Sequence, residues 1–136
     1  MKLVIDASFV ASLFIPDESS AANTEIVQNL TEGDATAPAI WQLEVANLLI
    51  MAERRKRIDS SQMTRLVEAW DALPIALQPM LTIRQRSEVI GLARKHKLSA
   101  YDATYLELAL RNNAKIATLD DSLIVAAQAE GVGIAG

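Results

Sequence analysis

Short runs of β-branched and apolar residues alternate along this chain with longer segments of helical periodicity. The strand candidates are residues 3–5, 35–37, part of 77–82, 115–118 and 132–134. Strands that alternate with helices form parallel sheets with both faces covered, because each return connection lays a helix on the sheet. We therefore predict an α/β fold with one doubly wound domain that spans residues 1–136.

Apolar residues at helical spacing predict the helices between these strands. Ile26 belongs to a helix that Ser19 or Ser20 begins, and a long helix follows Pro38 over residues 40–57. Pro74 ends the next helical pattern. Three further patterns follow, around residues 89–97, 105–110 and 123–127. No repeat or linker interrupts the order.

Composition excludes several classes of protein. The chain has 136 residues, of which 51% are hydrophobic and 22% are charged, which is typical of a folded globular domain. It contains no cysteine, so thiolate zinc sites, disulfide scaffolds and thiol catalysis are excluded. Asp6 interrupts the apolar N-terminal run, which is also too short to span a bilayer. We expect a soluble, cytoplasmic protein that does not contact a membrane.

Carboxylates follow two of the predicted strands directly. Asp6 comes after the first strand, and Asp120 and Asp121 follow the strand at 115–118. Ligands of open α/β sheets bind beyond the carboxyl ends of the strands, so these positions favour a functional site. A helix N-cap is the alternative for Asp6 and for one of the later pair.

Glu44 and Asp102 lie on predicted helices. Four of the five helical neighbours of Glu44 are apolar, which places its carboxylate on or beside a buried face, where it is costly unless paired or coordinated. A helix-flank glutamate that reaches water is the alternative. Asp102 stands three residues after Ser99, so it belongs either to a site or to an ordinary helix start.

A doubly wound fold can bring these acidic side chains to one cleft. Clustered carboxylates repel one another unless a cation holds them, and Mg²⁺ and Mn²⁺ prefer oxygen ligands. The chemistry that such a site supports is metal-assisted phosphodiester hydrolysis.

Four segments carry a family resemblance. They are Val-Ile-Asp-Ala-Ser at 4–8, Glu-Val-Ala-Asn-Leu-Leu at 44–49, Leu-Ser-Ala-Tyr-Asp-Ala-Thr-Tyr at 98–105 and Ala-Thr-Leu-Asp at 117–120. In order and in spacing they resemble the PIN-domain nucleases, and in particular the VapC-type toxins of toxin–antitoxin pairs. The similarity covers essentially the whole chain.

The resemblance implies a five-stranded parallel sheet of order 3-2-1-4-5 and a Mg²⁺- or Mn²⁺-dependent endoribonuclease. It also implies an RNA substrate, a cognate antitoxin whose tail enters the acidic cleft, and a homodimer. The family's catalytic quartet corresponds to Asp6, Glu44, Asp102 and Asp120.

The resemblance extends to the roles of single residues. Asp6, Asp102 and Asp120 correspond to the metal ligands, and Glu44 and Asp121 are further candidates. Thr118 and Asn47 correspond to polar residues beside the site, where they would contact substrate.

Charge is distributed unevenly. The net charge of −4 combines +6 between Arg54 and Lys97 with −10 in the rest of the chain. The cluster of Arg54, Arg55, Lys56 and Arg57 at the end of the Glu44 helix is predicted to contact RNA phosphate or the antitoxin, with stabilisation of a helix C-terminus as the alternative. His96 is expected to be a solvated residue near a helix end.

Two other classes of protein compete with the nuclease. A receiver-like phosphoacceptor domain is also doubly wound, but Asp6 without an acidic neighbour and Glu44 in mid-helix fit it poorly. A catalytically silent PIN module is the second, and the complete acidic quartet argues against it.

Overall fold

The computed structural model describes residues 2–16 and 20–135, within which four strands and seven helices follow one another. In chain order they are β1 (Leu3–Ile5), α1 (Ala7–Phe14), α2 (Ala21–Gln28), β2 (Ala35–Ala37), α3 (Trp41–Arg54), α4 (Ser60–Asp71), β3 (Ile75–Leu77), α5 (Ile83–His96), α6 (Ala100–Asn112), β4 (Lys115–Ala117) and α7 (Asp121–Ala129). The predicted α/β alternation is confirmed.

The strands form one parallel sheet of order β3-β2-β1-β4. Within the described residues the sheet has four strands, so the predicted five-stranded sheet is wrong in this respect. The segment predicted as a fifth strand, 132–134, makes a single parallel bridge between Ile134 and Ile116. The backbone of Ile116 makes two hydrogen bonds here: its N–H donates to Gly133 O at 3.0 Å, and its carbonyl oxygen accepts from Ala135 N at 2.9 Å. This pairing is too short for a strand.

Two element boundaries also differ from those predicted. The strand expected within 77–82 lies at Ile75–Leu77, directly after Pro74, because its pairing with β2 sets Ala35 opposite Ile75. The long helix ends at Arg54 and not at residue 57. The chain turns there because Lys56 adopts a left-handed conformation, with φ 60°.

The core lies on both faces of the sheet around its central strand. All three residues of β1 are fully buried. On one face α6 buries an unbroken run from Ala103 to Ala109 against β1 and β4, and α5 and α7 pack on α6. On the other face α1 packs on α3. This layering leaves the carboxyl ends of β1 and β4 between α3 and α6, where a cleft can form.

Two further contacts in the fold are the N-cap of α2 and a pair of aromatic rings. Ser20 accepts a hydrogen bond from Asn23 N and is the N-cap of α2, whereas the other candidate, Ser19, lies outside the described residues. Trp41 and Trp70 pack edge to face between α3 and α4, with ring centroids 5.7 Å apart and planes at 76°.

No helix in the described part of the chain is both long and apolar enough to cross a bilayer.

Candidate active site

Asp6 and Asp120 lie beyond the carboxyl ends of two neighbouring parallel strands, β1 and β4. Each is the N-cap of the helix that follows: Asp6 accepts a hydrogen bond from Ser8 N, and Asp120 accepts from Ser122 N at 2.9 Å and Leu123 N at 3.2 Å. The N-cap alternative is therefore confirmed for both residues, and their functional role stays a prediction. The capping bonds use the strand-end geometry that also points each carboxylate into the cleft.

Two hydroxyl groups join these strand ends. Thr118, which is buried, donates to Asp6 Oδ2 and accepts from Asp120 N at 3.0 Å. Ser8 donates to Asp6 Oδ1 at 2.6 Å and accepts from Leu119 N at 3.2 Å. Thr118 was predicted beside the site. The role of Ser8 was missed, although a serine two residues after a strand-end aspartate is a recognisable capping signal.

Glu44 enters the cleft from the first turn of α3. It is half-buried, and its Oε1 accepts a hydrogen bond of 2.6 Å from the hydroxyl group of Tyr105 on α6. The alternative of a helix-flank glutamate that only reaches water is therefore wrong, because the carboxylate of Glu44 is hydrogen-bonded to another helix. Tyr105 is 1% exposed and was not identified from the sequence, where it reads as part of an apolar stripe.

Asp102 lies in the first turn of α6. Ser99 is the N-cap and accepts a hydrogen bond from Asp102 N at 3.1 Å, so the helix start expected from the sequence is confirmed. The carboxylate of Asp102 faces the same cleft as the other three. Asp102 therefore belongs to a helix start and also lines the cleft, and its role in a functional site stays a prediction.

These side chains line one cavity of about 190 Å³, the acidic pocket. Its polar lining comprises Asp6, Ser8, Glu44, Asn47, Asp102, Tyr105 and Asp120. The structure thus brings together the four acidic residues of the predicted quartet. Asp121 does not line this pocket: it is exposed at the start of α7 and borders a separate depression with His96.

Burial and mutual repulsion disfavour negative charge in the acidic pocket. Burial raises the pKa of Asp6 above its ordinary value. Burial also raises the pKa of Glu44, and the charges of Asp6 and Asp102 add to the effect. The pKa of Asp102 is raised by burial and by Asp120 and Asp6. Burial and Glu44 raise the pKa of Tyr105, so its hydroxyl group stays a hydrogen-bond donor.

The donor set of the acidic pocket suits a hard cation. Four carboxylates, one amide and hydroxyl groups offer only oxygen ligands of the kind that Mg²⁺ and Mn²⁺ prefer, and none of the described basic side chains lines the pocket. Among the described residues, no three acidic or histidine side chains converge closely enough to hold an ion. Asp6, Glu44 and Asp120 each accept hydrogen bonds from protein donors. The metal ligands stay a prediction.

The four basic residues at the end of α3 do not share one environment, and two of them, Lys56 and Arg57, border a depression beside Asp59. Arg55 and Arg57 line a second cavity, of about 260 Å³, that adjoins the acidic pocket, whereas Arg54 and Lys56 do not line it. The division follows from the turn after α3, in which Arg57 N donates to Ala52 O at 2.9 Å. The four residues predicted to act together therefore point to different surroundings.

A larger cavity, of about 560 Å³, lies away from the strand ends, between α5 and α6. Two of its charged lining residues pair with each other: Glu107 is buried and accepts two hydrogen bonds from Arg111, at 2.9 and 3.1 Å. Nearby, His96 Nε2 lies 2.6 Å from Glu130 Oε2, and the His96 side chain is 12% exposed. The expectation of a solvated His96 is wrong, because its imidazole ring contacts Glu130 at the C-terminal end of α7.

Comparison with known proteins identifies the family. The sequence model of the PIN domain matches residues 3–129. The chain is 33% identical over 124 residues to Ribonuclease VapC3 of Pyrobaculum aerophilum, which covers 90% of this chain and 92% of that protein.

Three solved structures share the fold. PAE2754 of Pyrobaculum aerophilum matches with a TM-score of 0.71 at 19% identity, over 93% of this chain and 84% of its own. VapC20 of Mycobacterium tuberculosis, a toxin that cleaves the sarcin-ricin loop, matches at 0.66 and 13% identity, over 92% and 95%. A toxin–antitoxin complex from Klebsiella pneumoniae matches at 0.58 and 15% identity, over 88% and 87%. With these matches and an acidic pocket at the strand ends, the chain belongs to the PIN domain family.

Proposed function

We propose that this protein is a divalent-metal-dependent endoribonuclease, the toxin component of a toxin–antitoxin pair. The observation that carries the proposal is the acidic pocket, in which Asp6, Glu44, Asp102 and Asp120 meet. Membership of the PIN family and the relationship to a VapC ribonuclease support RNA as the substrate. Family membership removes the receiver-like alternative, and the gathered quartet argues against a silent module.

The residues of the acidic pocket fit two tasks, holding a cation and binding the phosphodiester. Asp6, Asp102 and Asp120 would hold the cation, with Glu44 beside them; since no three of the described acidic groups converge on one point, water would supply part of the coordination. A divalent cation supplies charge neutralisation at phosphate and activation of water in chemistry of this class. Asn47, whose amide group lines the pocket, would donate a hydrogen bond to the phosphodiester. Mg²⁺ is the proposed ion, and Mn²⁺ would serve by the same oxygen-ligand chemistry.

Hydrogen bonds fix the carboxylates before substrate arrives. Ser8 and Thr118 hold the two oxygens of Asp6, and Tyr105 holds Glu44. A site whose groups are held in place loses less free energy to reorganisation during the reaction. The proposal therefore assigns positioning roles to these three hydroxyl groups, and catalysis to the quartet.

A pair of matched substitutions tests the function. Asp6→Asn keeps a residue that caps helices well but removes the charge, so the fold should persist. Cleavage of single-stranded cellular RNA in Mg²⁺ should fall at least about 100-fold, since even the loss of a residue that only supports a metal ligand typically costs 10–100-fold. Asp59→Asn makes the same change at the N-cap of α4, remote from the pocket, and should leave cleavage unchanged.

The metal requirement is tested with the same assay. Cleavage should require Mg²⁺ or Mn²⁺ and stop in EDTA. Full activity of a folded Asp6→Asn protein, or activity that survives EDTA, would contradict the proposal. Cut sites mapped on total cellular RNA would give the target.

The cellular setting follows from the same reasoning. A solved toxin–antitoxin complex among the structural matches supports a protein antitoxin as the partner. Co-expression with the antitoxin should suppress RNA cleavage. Assembly as a homodimer and location in the cytoplasm stay predictions.

A further inference from the structure

The cavity of about 260 Å³ beside the acidic pocket, hereafter the α1–α3 groove, has no assigned role. It shares two lining residues with the acidic pocket, Ser8 and Leu48. Ser8 stands at the junction, because its hydroxyl group donates to Asp6 on one side and accepts from Leu119 N on the other. A molecule bound at Asp6 would therefore meet the opening of the groove.

The walls of the groove are apolar. Ala11 and Ile15 come from α1 and its C-terminal end, and Met51 and Ala52 come from α3. At the mouth, Leu48 is 37% exposed and Leu119 is 46% exposed. An apolar hollow that opens beside a strongly polar pocket suits a ligand with a flat apolar part next to a charged part.

The rim of the groove carries positive charge. Arg55 and Arg57 line it, and no acidic side chain among residues 2–16 and 20–135 forms an ion pair with Arg55. The adjacent pocket carries four carboxylates that repel a polyanion. A strand of RNA needs cationic contacts close to such a pocket, and Arg55 is placed to provide one.

We propose that the α1–α3 groove is a nucleotide subsite for single-stranded RNA. This rests on the proposed ribonuclease function. The base of the nucleotide beside the cleaved bond lies in the apolar part, and the guanidinium group of Arg55 stacks on the face of this base, as arginine does in single-strand recognition. The volume is below the roughly 300–1,000 Å³ of clefts that hold drug-sized ligands, so it accommodates one base.

The first experiment compares charge removal inside and outside the groove. The probe is a short single-stranded oligoribonucleotide centred on a cut site mapped on cellular RNA, in Mg²⁺. Arg55→Ala should raise KM about fivefold or more with a small effect on kcat, the loss expected when stacking on one base is removed. Arg86→Ala, on an exposed turn of α5, removes the same charge and should leave KM unchanged.

A second variant separates a subsite from diffuse attraction. Arg54→Ala removes the neighbouring charge, which does not line the groove, and should raise KM less than Arg55→Ala. Equal effects of Arg54→Ala and Arg55→Ala would overturn the proposal, since a general field does not distinguish adjacent charges.

A third measurement tests for the base itself. Oligoribonucleotides with an abasic ribose on either side of the cleaved bond should lose affinity for one side only. In Arg55→Ala the penalty for that abasic position should shrink, because residues that act on the same group are not additive. Fully additive penalties, or none at either position, would overturn the proposal.

The outcomes separate this proposal from the function on which it rests. If the wild-type protein cleaves no RNA, the proposed function fails. If it cleaves RNA and Arg55→Ala behaves as Arg86→Ala does, the function stands and the subsite fails. That result would leave a protein partner as the occupant of the groove. Circular dichroism melting curves of each variant confirm that the compared proteins are folded.

Discussion

The acidic pocket and the contact between the ends of α5 and α7 shift the pKa values of their carboxyl groups in opposite directions. In the contact, Lys95 and His96 both reach Glu130, at 2.7 and 2.6 Å, and these partners lower its pKa. In the pocket, burial raises the pKa of Asp6, and the charges of Asp6 and Asp102 help to raise that of Glu44. The fold therefore stabilises the charged form of Glu130, whereas burial makes the charged form of Asp6 unfavourable.

We infer from this contrast that the charge of Glu130 stabilises the fold, whereas the charges of the pocket acids serve the proposed activity. Glu130 joins two helices, so neutralising it should weaken the fold. The pocket acids contribute their charge to whatever binds there, so neutralising them should strengthen the metal-free fold and remove activity. Proteins carry such unfavourable arrangements chiefly at functional sites. The following predictions test the contrast, beginning with the largest effect.

The largest effect is expected from Asp102→Asn beside Glu130→Gln. Asp102→Asn should lower RNA cleavage at least about 100-fold and raise the melting temperature in EDTA, because the neutral side chain removes burial cost and repulsion. Glu130→Gln should leave cleavage unchanged and lower the melting temperature slightly, since exposed ion pairs contribute about 0.2–1 kcal/mol. Activity assays and calorimetry measure both, and shifts of the same sign would refute the contrast.

Tyr105→Phe should reduce cleavage by about 10–100-fold, as is usual when a residue that orients a metal ligand is lost. The substitution removes only the hydroxyl group that donates to Glu44. Tyr101→Phe makes the same change on the same helix at an exposed residue and is the control. Titrating Mn²⁺ against rate shows whether the loss lies in cation affinity or in kcat. Equal rates for the two variants would exclude a positioning role.

Divalent cation should raise the melting temperature of the wild-type protein more than that of Asp102→Asn. Binding to the native state alone stabilises by about 2.7 kcal/mol at 100 times Kd. The comparison needs millimolar Mn²⁺ against a control of matched ionic strength. An unchanged wild-type melting temperature would argue against a shared cation site.

The smallest effect is a dependence of metal-free stability on pH. The pKa values of Asp6 and Glu44 are raised in the fold, so the folded protein binds more protons over the interval above their ordinary values of 3.8 and 4.5. The free energy of unfolding therefore falls as the pH rises through that interval. Glu130, with its lowered pKa, contributes fully above 4.5 and loses its contribution as the pH falls below that value.

Thermal melts in EDTA should therefore show the highest melting temperature on the acidic side of neutrality. Asp6→Asn should flatten the decline toward neutral pH, because it removes one of the groups that cause it. A wild-type melting temperature that rises steadily from pH 5 to 7.5 would contradict the prediction.

Sequence reasoning recovers what depends on periodicity and on chain order. The positions of β1 and β2 follow from short apolar runs, whereas the strand order and the acidic quartet came from the family resemblance. Contacts between residues distant in sequence do not follow: the partner of Tyr105 is 61 positions away, so nothing local marks its hydroxyl group. The left-handed turn at Lys56 was also missed, because lysine carries no preference for that conformation.

The edge-to-face pair of Trp41 and Trp70 gives the molecule an optical reporter. These are the two tryptophans of the sequence, so their emission samples one contact between α3 and α4. Trp41 lies one helical turn from Glu44, and a change in the seating of α3 would alter the coupling between the two indoles. Fluorescence could therefore follow cation or RNA binding in unlabelled protein, with Trp70→Phe isolating the signal of Trp41.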